Sequence, residues 1–164
     1  MLLSRILNPE AIRIRLHAET KDHAIEELVD LLVETGQVAG TMRDHLLDVV
    51  RERERSMSTG MEHGVALPHG STERFDRIVG ALGLAPDGIP FETIDGLPAR
   101  LVLLLVLPKN EFSTHIRTLA GIADLLHDAA FRQAIVGAES PETVLAVIRS
   151  HEDRELMART RRSD

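Results

Sequence analysis

Two residues able to handle a phosphoryl group lie close together in one stretch of the chain, Arg53 and His69. His69 follows Val65-Ala66-Leu67-Pro68 and precedes Gly70-Ser71, a pattern that predicts an imidazole at the end of a short strand, open to approach. A neutral imidazole can attack phosphorus directly, and its ordinary pKa of about 6.5 keeps it mostly neutral at cellular pH. Taken alone, Pro68-His69-Gly70 reads more simply as a loop histidine without a task. His115 changes the weighing. It lies three residues after Phe112 and four before Leu119, on the apolar face of a helix. A histidine there is usually a core residue, but beside the His69 strand end its ring could donate to a phosphoryl oxygen. Arg53 is the third member. Its spacing from Leu46 and Val49 turns it inward at a helix end, while Arg51 and Arg55 point elsewhere. A guanidinium there neutralises phosphate charge or snorkels at the surface, and spacing leaves the two readings even.

The elements that must position these groups follow from periodicity. Ile12, Ile14 and Leu16 alternate with Arg13, Arg15 and His17, a half-buried strand. Ala24, Ile25, Leu28, Val29, Leu31 and Leu32 recur at helical spacing, with Gly36 as the stop. Thr41 and Asp44 read as a capping pair that opens a second helix running toward Arg53. Ser56 to Gly64 is a polar loop, Arg77 to Ala85 a strand, and Leu101 to Leu107 a central strand covered on both faces. Phe112 to Leu126 marks a third helix. Ser140-Pro141-Glu142 has the cap, first-turn proline and first-turn acid that open a last one through Ile148. Intermixed strands and helices predict a single α/β domain, a sheet flanked by helices.

Composition narrows the function. In 164 residues there is no Cys, which excludes disulfides, Cys-ligated zinc and a thiol nucleophile. A net charge of −7 and aromatics at 2% argue against nucleic acid, by backbone charge or by base stacking. The longest apolar run falls well short of the roughly 20 residues a bilayer demands. The N-terminal residues do not form a signal peptide, and the chain reads as cytoplasmic, with no direct membrane insertion.

The stretch Arg53-Glu54-x-x-x-Ser58-Thr59-Gly60-x-x-x-Gly64-Val65-Ala66-Leu67-Pro68-His69-Gly70 resembles the signature of the mannitol/fructose-type enzyme IIA domains of the phosphoenolpyruvate-dependent sugar phosphotransferase system. Thr114-His115-Ile116-x-x-Leu119-Ala120 resembles that family's second motif region. Similarity covers Leu2 to about Ser150, and the chain is most similar to the nitrogen-regulatory members. The resemblance implies a mixed β-sheet flanked by helices. It further implies that His69 is the phosphoryl acceptor, that His115 and Arg53 stabilise the phosphoryl group, and that Ser58, Thr59, Gly60, Pro68 and Gly70 shape the binding site. Residues 1–150 are then the phosphocarrier domain, and 151–164 a charged tail expected to fray. His63 stands where the family pattern usually has Asn.

The leading expectation is a histidine phosphocarrier. A phosphorylated histidine-containing carrier protein is its donor, and nitrogen or metabolic regulation through phosphorylation-dependent binding of target proteins is its task. No P-loop and no magnesium-type Asp cluster is evident, so no cofactor is expected and transfer would rest on positioning and charge. The alternatives are a sugar-specific IIA component relaying phosphate to a separate IIB/IIC permease, and a binding module that is not phosphorylated. A metal site of His63, His69 and His115 is disfavoured, because six residues of extended, glycine-broken chain separate the first two.

Overall fold

The apolar run from Leu101 lies inside strand β5 (Ala99–Pro108), and the fold is organised around it. The computed structural model describes residues 2–162. Among them the sheet has five strands, the others being β1 (Ile12–Arg13), β2 (Val65–Ala66), β3 (His69–Thr72) and β4 (Val79–Ile89). Strand β4 pairs antiparallel with β5, from Val79 opposite Val106 to Leu84 opposite Leu101. β1 lies parallel to the outer edge of β4. β2 and β3 run one after the other, both parallel to the far edge of β5. The sheet is therefore mixed.

Burial on both faces explains the unbroken apolar run. Val102, Leu104 and Val106 pack with Leu28 and Leu32 of helix α2 (Lys21–Glu34) and with Leu46 and Val50 of α3 (Arg43–Ser56). Leu101, Leu103 and Leu105 pack on the opposite face. There they meet Ile122 and Leu126 of α4 (Phe112–His127), Phe131 and Ile135 of α5 (Ala129–Val136), and Val144 and Ile148 of α6 (Pro141–Arg162). A short N-terminal helix, α1 (Leu3–Ile6), seals this second layer. None of the described helices is long and apolar enough to cross a membrane.

Several sequence expectations are revised. The alternating segment from Ile12 pairs as strand for two residues only, although the Leu16 amide still reaches the Leu84 carbonyl at 2.8 Å. Thr41 and Asp44 form no capping pair: residues 40–42 make a 3₁₀ turn, and the N-cap of α3 is Met42, without a side-chain cap. Helix α5 was not foreseen; the Asp128 carboxylate caps it by accepting from the Phe131 amide at 2.8 Å. Of the stretch from His151 expected to fray, the described residues are helical, since α6 continues through Arg162. Glu152 accepts from the Ser4 amide at 3.2 Å and the His151 ring meets Phe131 edge-on at 5.0 Å, so the first turn of this stretch docks on the domain. Residues 163–164 of the expected tail lie outside the described residues.

Candidate functional site

The short strand expected before His69 is β2, which ends at Ala66, and His69 itself opens β3, where the ladder sets its direction. Paired positions in a parallel ladder share a face, and His69 pairs with Leu105 of the α4 layer. His69 therefore faces α4, while Gly70 faces α3. That second contact is close: a Cβ on Gly70 would stand 2.6 Å from Val49 Cγ1 and 3.2 Å from the Val50 amide nitrogen. Glycine lets the edge strand lie directly on α3.

Local hydrogen bonds fix the imidazole. His69 Nδ1 lies 2.9 Å from the Leu67 carbonyl oxygen. A carbonyl only accepts, so Nδ1 carries the proton and Nε2 of the neutral ring holds a free lone pair. His69 is half-buried, and this burial pushes its pKa below the ordinary histidine value. The Arg53 charge pushes the same way, against the Leu67 hydrogen bond and the Glu54 carboxylate. The ring is thus a neutral nucleophile with a defined attacking atom.

Arg53, His69, Gly70 and His115 line one open cleft of about 720 Å³ between one face of α3, the edge strand β3 and the first turns of α4. Arg53 donates from Nη1 to the Met57 carbonyl at 2.8 Å, which holds the guanidinium at the helix end. His115 is buried, and its Nε2 has no hydrogen-bond partner among the described residues. Leaving such a nitrogen unsatisfied costs about 1–3 kcal/mol. Among the described residues, three permanent cations line the cleft, Arg53, Arg74 and Lys109, against two carboxylates, Glu52 and Glu73. On a chain of net charge −7 this is a local cationic surplus suited to an anion.

The other anticipated residues stand around the cleft. Ser58 Oγ donates to the Phe91 carbonyl at 2.8 Å and accepts from the Gly60 amide at 3.2 Å. Thr59 borders a smaller cavity shared with Arg53 and His69, yet its amide and hydroxyl both donate to Glu54. A Cβ on Gly60 would come within 2.6 Å of the Phe91 carbonyl oxygen. Pro68 is buried and its carbonyl accepts from the Leu105 amide at 3.0 Å. Ser58, Gly60 and Pro68 line neither cavity.

Sequence reasoning missed Glu54, the inward residue at this helix end. Its buried carboxylate takes the Thr59 amide at 3.0 Å and pairs with Lys21 Nζ at 3.4 Å, tying the loop to α3 and α2. A signal was available: Glu54 lies four residues after Val50, on the stripe of α3 that Leu46, Leu47 and Val50 bury. His45, whose Nε2 lies 2.8 Å from Thr72 Oγ1, also lines the cleft and was missed. His63 does not join His69 and His115; it stands apart, beside His127. Its φ of +61° explains the position, because this left-handed conformation suits Asn and is also open to His.

The profile of the family described as phosphoenolpyruvate-dependent sugar phosphotransferase system, EIIA 2, matches residues 5–151. The fructose-specific EIIA component of Haloferax volcanii is 32% identical over 146 residues, 89% of this chain and 94% of that protein. The fructose-specific EIIABC component of Bacillus subtilis is 28% identical over 152 residues, 93% of this chain, which spans only 24% of that longer protein. Among solved structures, the nitrogen regulatory protein IIA-Ntr of Neisseria meningitidis superposes with a TM-score of 0.81 at 25% identity, covering 89% of this chain and 98% of that one.

Proposed function

The chain belongs to the EIIA 2 family of the phosphoenolpyruvate-dependent sugar phosphotransferase system, and within it we propose that this protein is a histidine phosphocarrier whose acceptor atom is His69 Nε2. The observation that carries the proposal is the His69 Nδ1 hydrogen bond to the Leu67 carbonyl, which leaves the Nε2 lone pair at a cationic cleft. A phosphorylated histidine-containing carrier protein presents its phosphoryl group in line. The Nε2–P bond forms as the donor's N–P bond breaks, and the electron pair leaves with the donor's imidazole. No proton has to leave His69 Nε2, because it carries none. Arg53 offsets the charge on the phosphoryl oxygens, and His115 Nε2, unpartnered before transfer, gains a phosphoryl oxygen as partner. Glu54, Thr59, Ser58 and Gly70 hold the walls that keep these groups in register.

The onward step we propose is regulatory: the phosphorylated and unphosphorylated forms bind different target proteins, with nitrogen metabolism as the context. The likeness to the Neisseria nitrogen regulatory protein supports this reading. Phosphorylation adds about two negative charges at one point of the surface, enough to reverse a local preference for acidic or basic partners. The test of the carrier role is incubation with phosphoenolpyruvate, enzyme I and the carrier protein, followed by intact-mass analysis without acid. One added phosphoryl group per chain is expected, and none in His69→Ala; full labelling of that variant defeats the proposal. For the regulatory step, pull-downs with His69→Ala and phosphorylated protein should capture different partners. Identical partners at equal affinity would leave a plain relay.

A further inference from the structure

The geometry points to a divalent transition-metal site of the zinc class, formed by His63, His127 and Glu62 and separate from the cleft. One ligand atom from each of these side chains lies within 4.8 Å of the other two. Zinc bonds of about 2.0–2.1 Å in tetrahedral array place ligand atoms about 3.3 Å apart, so rotations of exposed side chains suffice to close the set. His63 Nε2 is already 4.0 Å from Glu62 Oε2, and the two imidazole rings lie 5.7 Å apart at 64°. Two imidazoles and a carboxylate are borderline donors, suited to Zn²⁺, Co²⁺, Ni²⁺ or Cu²⁺ and poorly suited to Mg²⁺ or Ca²⁺. All three residues are exposed, which leaves further coordination positions to water.

The backbone under both histidines is held. The His63 amide donates to Asp95 Oδ2 at 2.8 Å, which fixes the left-handed turn that aims its ring. His127 sits in the last turn of α4, where Arg132 Nη1 donates to its carbonyl at 2.5 Å and to that of Leu126 at 2.9 Å. An ion here would bridge the turn before β2 to the end of the helix that carries His115. Sequence spacing could not reveal it, because the ligands come from segments far apart in the chain.

Zn²⁺ titration by calorimetry at pH 7.5 tests the site in the full chain. The wild type should bind one ion, and Zn²⁺ should raise its melting temperature. His63→Asn, which keeps a residue suited to the turn, and His127→Ala should each weaken binding by at least about tenfold, since even loss of an outer-shell partner commonly costs that much. His23→Ala, on an exposed part of α2, should bind as the wild type does. Visible absorption of bound Co²⁺ gives a second readout should one variant fold poorly. No binding by the wild type, or undiminished binding in both His63→Asn and His127→Ala, would overturn the assignment; the latter result would place the ion on other groups.

Discussion

Replacing Gly70 with alanine tests how far the nucleophile depends on close packing of β3 against α3. The added Cβ would lie 2.6 Å from Val49 Cγ1, 3.2 Å from the Val49 carbonyl carbon and 3.2 Å from the Val50 amide nitrogen. The first contact can be relieved by turning a side chain, but the other two involve helix backbone. Overpacking of this kind costs about 1–3 kcal/mol. At about 2–4 °C per kcal/mol for a chain of this size, a loss near 2 kcal/mol lowers the melting temperature by roughly 4–8 °C. Because the clash pushes on the residue next to His69, phosphoryl acceptance should slow even at temperatures where the variant is folded. Val49→Ala removes the Cγ1 contact and leaves the backbone ones. The double variant should therefore be more stable than the two single effects predict, with a coupling of about 0.5–1 kcal/mol that leaves part of the loss unrescued. Thermal melts and single-turnover transfer on the four proteins of this cycle supply both numbers. Wild-type stability and rate in Gly70→Ala would refute the argument that a glycine is needed there.

Arg53→Ala should still accept phosphate, but slower by about 10²–10³, the 2.7–4 kcal/mol usual for loss of one charge-stabilising donor; rapid-quench transfer assays measure it. His115→Ala should accept slowly or fail to pass the group on, and wild-type transfer in both variants would remove these residues from the mechanism. Burial, helped by Arg53, lowers the His69 pKa, so in an NMR titration its ring should stay neutral as pH falls through about 6.5 and protonate only below it, later than an exposed histidine. The sign for stability follows: the unfolded chain takes up this proton first, so the His69 contribution is intact above about 6.5 and declines as pH drops below it.

Much of this was legible in sequence because it is local or periodic. The apolar run in β5, the stripe of α2 and the burial of His115 on α4 follow from spacing along one element, although Ile116, whose spacing marked the same helix, is exposed and Ile122 and Leu125 pack in its place. Arg53, His69 and His115 line one cleft. What escaped depends on pairing between distant segments. That His69 opens a strand is decided by its partner Leu105, 36 residues on, and nothing near His69 announces it. Glu54 was passed over because an acid beside two arginines reads as solvated, whereas Thr59 and Lys21 compensate its burial. The resemblance placed Ser58 and Thr59 in the binding site, yet their hydroxyls turn to Phe91 and Glu54. The charged end of α6 reads as solvated for the same reason, but an ion pair spaced four apart, Glu155 with Arg159, suits a helix.

The central claim is that the group attached to His69 sits on one particular nitrogen. Heteronuclear NMR of the phosphorylated, ¹⁵N-labelled protein distinguishes the two ring positions by their couplings to phosphorus. The Leu67 hydrogen bond predicts a single phosphoryl group on His69 Nε2, with Nδ1 still protonated. Phosphorus coupled to Nδ1, or to any other histidine, would contradict the account.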